Sequence, residues 1–188
     1  MILSVLKIID LKKDEFFVPQ YVELRNYYAD FLLTDSVTVD ETKEWLVQAN
    51  IEVRCLVEDH VLVGVVILYL DKEGEVAFFV KNKNRGIGSQ LLKVIEDVAE
   101  EKSLHSLWAW VVSSNLAAQK TFTKNGYLLE GEAEKRQSGT TGRDREAQIL
   151  SLTGGRAGHR EEFGGRGMVP EVRPHLAGRT RISGTQRL

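Results

Sequence analysis

KNKNRGIGSQLL, residues 81–92, places a basic loop and a Gly-x-Gly bend directly before an apolar run. The apolar residues that follow recur at helical spacing and predict a helix that begins at the bend. EVAFFV, residues 75–80, is typical of a strand that leads into the loop. A strand, a glycine bend and a helix N-terminus gather several backbone N–H groups at one point. That arrangement suits an anionic ligand such as a pyrophosphate.

The bend matches neither of the two common nucleotide-binding loops. No Gly-Lys-Ser/Thr follows it, so it is not a Walker loop, and Leu91 stands where the third glycine of GxGxxG belongs. An ordinary strand-to-helix turn flanked by solvated lysines would have the same sequence. The bend alone therefore leaves both interpretations open.

The rest of the chain predicts an α/β fold with a mixed, mostly antiparallel sheet and flanking helices. Residues 5–9 and three closely linked runs at 52–59, 61–70 and 75–80 are typical of strands, and the last three predict an antiparallel meander. The run 61–70 is continuous and β-branched, as expected for a strand buried on both faces. Later strands and helices alternate up to residue 152.

Two helices are predicted between the first strand and the meander. Apolar and aromatic residues at helical spacing follow the first strand, with one interruption at Pro19. Thr38 stands three residues before Glu41, which is the spacing of a capping box and predicts the start of the second helix.

Residues Lys83 to Gly88 resemble the core motif of the GNAT family of N-acetyltransferases, Arg/Gln-x-x-Gly-x-Gly/Ala between a strand and a helix. Lys83 replaces the usual Arg or Gln. Further along, the family has a strand, an asparagine and a helix that ends in Gly-Phe or Gly-Tyr; this chain has WAWVVSSN, ending in Asn115, and AAQKTFTKNGY, ending in Tyr127. The resemblance covers residues 1–152 and implies a sheet that splays apart to form a cofactor cleft.

The resemblance implies acetyl-coenzyme A (acetyl-CoA) as co-substrate and no metal. Its pyrophosphate would lie on the bend, its pantetheine arm would pair with the preceding strand, and an asparagine would bond the arm from the opposite lip. The residues implied for cofactor binding are Phe78, Phe79, Val80, Lys83, Arg85, Gly86, Ile87, Gly88, Ser89, Asn115 and Phe122.

In the family, the acceptor amine attacks the thioester directly, so a base and an acid are the remaining side-chain roles. Glu75, at the start of the strand before the bend, is the candidate base, and a surface glutamate in a hairpin is the alternative interpretation. Many family members have a tyrosine in the last helix as the acid. Here that position is Phe122, which cannot donate a proton. Either another donor serves, or the thiolate leaves unassisted, since the pKa of a free thiol is about 8.5.

Residues 22–46 resemble the branch that includes ribosomal-protein and amino-sugar acetyltransferases, in which the first two helices wall the acceptor site. Arg25 and Asn26 are therefore candidate substrate-binding residues, with a helix-surface ion pair as the alternative. The implied activity is acetyl transfer to the primary amine of a small molecule, an amino sugar among them, or of a peptide N-terminus. The alternative is a CoA-binding sensor or scaffold of the same fold. Phe122 supports this alternative, because it cannot act as the acid.

Composition and residue usage favour a cytoplasmic protein. The chain of 188 residues is 43% hydrophobic and 28% charged, as in soluble globular proteins, and its one cysteine, Cys55, excludes an intramolecular disulfide. The N-terminal apolar run lacks a basic segment and a cleavage site and is too short to span a bilayer, so no membrane partner is expected.

His60 and His105 show no metal-ligand spacing. A homodimer remains possible on the sequence alone.

The composition changes abruptly near residue 136. Residues 1–135 carry 15 basic and 22 acidic side chains, residues 136–188 carry 10 and 5, and every lysine precedes 136. We predict an acetyltransferase domain at 1–152 and a Gly/Arg-rich tail at 153–188. The tail is open to three interpretations: a basic arm that binds RNA or an acidic partner, an ordinary solvated tail, or a segment outside the native coding frame. Phe163 is its only aromatic residue, so a nucleic-acid partner is not expected.

Overall fold

The computed structural model describes residues 5–32, 34–83, 85–136 and 144–153, with the backbone alone at 133–136 and 144–145. These residues form seven strands, five α-helices and a single 3-10 turn at Glu15–Phe17. The strands are β1 (Leu6–Asp10), β2 (Ile51–Glu58), β3 (Val61–Tyr69), β4 (Glu75–Val80), β5 (Ser106–Val112), β6 (Leu128–Arg136) and β7 (Asp144–Thr153). The α-helices are α1 (Val18–Tyr27), α2 (Ala29–Leu32), α3 (Val39–Leu46), α4 (Ile87–Glu101) and α5 (Leu116–Lys124).

The strands form one mixed, mostly antiparallel sheet, which confirms the predicted fold class. Their order is β1-β2-β3-β4-β5-β7-β6, and β4–β5 is the one parallel pair in this order. The meander of β2, β3 and β4 is confirmed. The sequence did not predict that β7 lies between β5 and β6. A pattern of residues along the chain indicates where a strand forms, but not which strands it pairs with.

A hydrophobic core lies on each face of the sheet. Helices α4 and α5 cover one face, and α1 and α3 cover the other. Strand β3 is buried on both faces, as predicted, because it lies centrally between the two cores. Strand β2 is buried along most of its length rather than at every second residue. Six of its eight residues are buried, because α1 and α3 pack over one side of it and α4 over the other.

The helix starts follow local sequence signals. Helix α1 has Pro19 in its first turn, where the missing N–H costs nothing, so Pro19 marks the start of the helix. Helix α3 begins at the predicted capping box: the Thr38 hydroxyl accepts from the Glu41 N–H at 3.2 Å, and the Glu41 carboxylate accepts from the Thr38 N–H at 2.7 Å. Helix α1 ends beside β4, because Tyr28, its C-cap residue, bonds the Val80 carbonyl.

The predicted tail lies outside the described residues except for its first residue, Thr153, so the domain boundary at 152/153 stays a prediction. Within the described part of the chain, no helix combines the length and the apolar character needed to cross a membrane.

Candidate active site

A cavity of about 690 Å³ opens where β4 and β5 separate. The two strands pair at a single register position, Glu75 with Trp108, and the Trp108 N–H donates to the Gly74 carbonyl at 3.1 Å. Beyond this point the strands diverge and leave a gap. The cavity is lined by every predicted site residue except Asn26: Arg25, Glu75, Phe78, Phe79, Val80, Lys83, Arg85, Gly86, Ile87, Gly88, Ser89, Asn115 and Phe122.

The backbone of β4 offers hydrogen-bonding groups to this gap. The Lys81 N–H donates to the Val63 carbonyl at 2.8 Å, so residue 81 faces β3. Because backbone groups alternate sides along a strand, those of Phe78 and Val80 face the gap, while those of Phe79 face β3. The Tyr28 hydroxyl donates to the Val80 carbonyl at 2.9 Å, which ties α1 to this edge of β4.

The glycine bend opens α4 in the way an anion site requires. Gly86 caps the helix with φ +73°, a left-handed conformation that favours glycine, and a Cβ there would meet no atom within 4 Å. The first intrahelical bond runs from the Gln90 N–H to the Gly86 carbonyl, so the three preceding N–H groups, at residues 87–89, point out of the helix end. They give this end of the cavity a positive potential.

Gly88 brings three elements close together. A Cβ at this position would lie 3.0 Å from Thr121 Cγ2 and 3.1 Å from Phe78 Cε2. The glycine therefore lets α4 pack tightly against α5 and β4, which holds the bend at the mouth of the gap.

The side chains around the bend are positioned by partners distant in sequence. Arg85 makes a bidentate pair with Glu58, with both N–H···O distances at 2.8 Å, and this pair raises the pKa of the Arg85 guanidinium. The Ser89 hydroxyl oxygen accepts from Asn125 Nδ2 at 2.9 Å, which leaves the hydroxyl proton to donate elsewhere. Lys83 and two lysines of α5, at 120 and 124, add positive charge to the same end of the cavity.

Asn115 lies on the opposite lip, at the N-cap of α5. Its side-chain oxygen accepts from the Ala118 N–H at 3.2 Å, so the amide is fixed by the helix it begins. Both lips of the gap therefore end in a helix N-terminus.

The deep end of the cavity contains Glu75, which is only 8% exposed. Lys72 Nζ lies 3.5 Å from its carboxylate, and Tyr69 is its direct partner across the β3–β4 ladder. Burial raises the pKa of Tyr69 to about 12; the charge of Glu75 adds to this effect and that of Arg25 opposes it. The charges of Glu75 and Arg25 therefore both act on the Tyr69 hydroxyl.

Residues 7–127 of the chain match the acetyltransferase (GNAT) family model. The chain belongs to the GNAT acetyltransferase family. No curated protein sequence matches it significantly.

Solved GNAT structures have the same fold at low sequence identity. The putative acetyltransferase yncA from Salmonella typhimurium, solved with its cofactor acetyl-CoA, is 20% identical, with a TM-score of 0.66 over 79% of this chain and 93% of that one. The spermidine N-acetyltransferase from Vibrio cholerae, solved with CoA and spermine, is 15% identical, with a TM-score of 0.67 over 79% and 95%. The ribosomal-protein-S5-alanine acetyltransferase from Vibrio fischeri is 18% identical, with a TM-score of 0.65 over 81% and 97%.

The two candidate acceptor residues of this GNAT protein have different surroundings. Arg25 lines the cavity, and its Nη1 donates to the Asp35 carbonyl at 2.8 Å. The Asn26 amide instead bonds both the N–H and the carbonyl of Val37, at 2.9 and 2.8 Å, and is outside the cavity lining. These bonds fix the segment between α2 and α3 against α1.

Phe122 is largely a core residue, although its edge reaches the cavity. It is 3% exposed and packs between Phe78 and Tyr127, with ring centroids 5.1 and 4.9 Å away. Cys55 is fully buried in the other core, and burial raises the pKa of its thiol, so it is not poised as a nucleophile.

Sequence reasoning missed several residues at the cavity. Tyr28, Tyr69 and Trp110 line it, and Asn125 orients Ser89. Tyr69 could have been found, because a hairpin turn at 71–74 pairs it with Glu75. Tyr28 and Trp110 carry no local signal, since their positions depend on long-range packing. Within the described residues, no group of three His, Cys, Asp or Glu side chains is arranged to hold a metal.

Proposed function

We propose that this chain is an N-acetyltransferase that binds acetyl-CoA in the gap between β4 and β5 and acetylates a primary amine. The observation that carries the proposal is the coincidence of the gap with the glycine bend: a free strand edge leads directly to a helix N-terminus surrounded by cations. Family membership and solved relatives that hold acetyl-CoA or CoA support it.

The hydrogen-bonding groups and charges along the gap suit this co-substrate. The N–H groups at 87–89 and the Ser89 hydroxyl would hold the pyrophosphate, with Arg85 kept at the loop by Glu58. The gap-facing backbone groups of Phe78 and Val80 would pair with the amides of the pantetheine arm. Phe79 would contribute its side chain to the wall rather than its backbone.

The opposite lip would be formed by Asn115, with the edge of Phe122 as an apolar wall. Lys83 would add charge near the phosphates. Bound acetyl-CoA supplies an acetyl group on a thioester, an activated carbonyl that an amine attacks directly.

Glu75 is the proposed base. Only a neutral amine is nucleophilic, so the ammonium form of the acceptor must lose a proton. Glu75 lies at the point where the strands separate and lines the cavity, so an acceptor amine in the deep end of the gap would meet its carboxylate directly or through a water. The buried Cys55 supports direct transfer without a covalent enzyme intermediate.

The acceptor is proposed to be a small molecule, an amino sugar among them, or a peptide N-terminus. Solved relatives include ribosomal-protein acetyltransferases, and the layout of residues 22–46 resembles that branch and its amino-sugar members. Arg25 would contact the acceptor, while Asn26 would act by fixing the wall. We further propose that residues 1–152 form the catalytic domain and that the protein works in the cytoplasm, in keeping with its single cysteine.

A pair of variants at Gly86 tests the cradle. Asp and Asn both tolerate the left-handed backbone and have nearly equal volume, and the open space at Gly86 accommodates either. Gly86→Asp places a negative charge beside the pyrophosphate, so we expect its acetyl-CoA affinity by calorimetry to fall at least tenfold, or about 1.4 kcal/mol, relative to Gly86→Asn. Equal affinities for both variants and the wild type would contradict the cradle.

A further inference from the structure

The acceptor half of the cavity, formed by Arg25, Tyr28, Tyr69, Lys72 and Glu75, carries more positive than negative charge. Two cationic side chains face one carboxylate there. An amine acceptor needs the carboxylate. Lys72 is paired with that carboxylate, but Arg25 has no role in taking a proton from an ammonium, so Arg25 indicates a second feature of the substrate.

Arg25 lines the cavity, and its guanidinium is held in place by a hydrogen bond. Its Nη1 donates to a main-chain carbonyl, that of Asp35, which orients the guanidinium without neutralising it. Glu41, whose pKa the charge of Arg25 helps to lower, is exposed and already bonded to Thr38 in the capping box. A guanidinium held in this way presents a planar fork that suits a carboxylate or phosphate.

Arg25 and Glu75 line the same cavity, and so does Tyr69, the cross-strand neighbour of Glu75. Lys72 lies 4.3 Å over the Tyr69 ring, with its Nζ 3.5 Å from the Glu75 carboxylate. Tyr28 and Tyr69 also line the space, and aromatic side chains suit the apolar part of a ring or a short chain.

We propose that the acceptor is a small amine that also carries an oxyanion, a carboxylate or a phosphate, and that Arg25 recognises this group while Glu75 receives the amine. This inference rests on the proposed function and narrows its substrate class. A polyamine is disfavoured, because once one of its ammonium groups meets Glu75 the others face Arg25 and Lys72. In the reaction, the N–C bond forms, the C–S bond breaks, the amine proton passes to Glu75 or water, and the thiolate leaves as CoA.

Matched acceptor pairs test the proposal with the full chain. Thiol release from acetyl-CoA is followed with glucosamine against glucosamine 6-phosphate, with serine amide against serine, and with spermidine. We expect kcat/KM at least tenfold higher for the anionic member of one pair, and which pair shows it tells phosphate from carboxylate recognition. The same panel titrated into the protein–CoA complex by calorimetry reports acceptor binding without turnover.

Variants at Arg25 connect the preference to this side chain. Arg25→Gln should reduce the preference to less than threefold, mainly through KM, with the acetyl-CoA affinity unchanged. Arg25→Lys should keep part of the preference, because it keeps the charge but not the fork. Lys93→Gln, which removes an exposed charge on α4 outside the cavity lining, is the control and should retain the full preference.

The outcomes separate this inference from the function on which it rests. Thiol release and binding that are equal or stronger for the uncharged members or for spermidine would overturn the inference and leave the acetyltransferase in place. A preference that survives in Arg25→Gln would overturn the role of Arg25. Absence of acetyl-CoA binding would overturn the proposed function and the inference with it.

Discussion

Gly64 lies in β3 beneath the first turns of α4, and its replacement by alanine tests how the bend is positioned. An alanine Cβ would sit 2.7 Å from Ile87 Cγ2 and 2.9 Å from Leu91 Cδ1, inside van der Waals contact. Ile87 is β-branched and has one strongly preferred rotamer in a helix, and both side chains are buried. The added methyl group must therefore shift the start of α4.

The cost of this shift can be estimated from its packing. Overfilling a well-packed core costs about 1–3 kcal/mol. In a chain of this size, each kcal/mol lowers Tm by about 2–4 °C, so we expect Gly64→Ala to melt about 2–12 °C below the wild type. Because residues 87–89 supply the N–H groups of the bend, the affinity for acetyl-CoA should fall as well.

Thermal unfolding and calorimetric titration of acetyl-CoA measure the two effects. Gly131→Ala in β6 is the matched control: a Cβ there meets no atom within 4 Å, so both quantities should stay at wild-type values. If Gly64→Ala has the same Tm and the same acetyl-CoA affinity as the control variant, α4 does not pack on β3 as described, and β3 does not position the bend.

Three further changes probe the chemistry and the core. Glu75→Gln should lower turnover by about 10²–10⁴-fold at neutral pH, as expected for loss of a general base. The loss should shrink as rising pH deprotonates the amine in solution. A loss that is the same at every pH would exclude this role. Phe122→Tyr should retain at least wild-type turnover, since the edge of the ring borders the cavity, and a large loss would mean that its para carbon faces the core. Tyr127→Phe should raise Tm, because it removes a fully buried hydroxyl with no hydrogen-bond partner among the described residues, whereas a fall in Tm would show that the hydroxyl is satisfied.

The parts of the fold that could be predicted are those encoded in short stretches of sequence. The Thr38–Glu41 capping box, the β-branched run of β3 and the glycine bend before α4 each depend on residues a few positions apart, and all three are present in the structure. The family resemblance predicted that Glu75 and Asn115 border one cleft, although nothing in their local sequences connects them, and both line the cavity.

The parts that could not be predicted depend on contacts between distant residues. Glu58 pairs with Arg85 across the sheet, and Tyr28 reaches the Val80 carbonyl from α1. Both contacts follow from strand register and helix packing rather than from spacing. Asn26 illustrates the same limit: its neighbour Arg25 lines the cavity, whereas its own amide is bonded to a loop.

The most direct test of the central claim is acceptor-dependent thiol release by the wild-type chain after calorimetric titration of acetyl-CoA. Cys55, the only cysteine, is buried with a raised pKa, so the protein adds little background to a thiol reagent. We expect saturable binding of acetyl-CoA and release of CoA thiol that rises when a primary amine is added. A chain that binds no acetyl-CoA would contradict the assignment of the gap and the bend, and binding without release for any amine would contradict the proposed transfer.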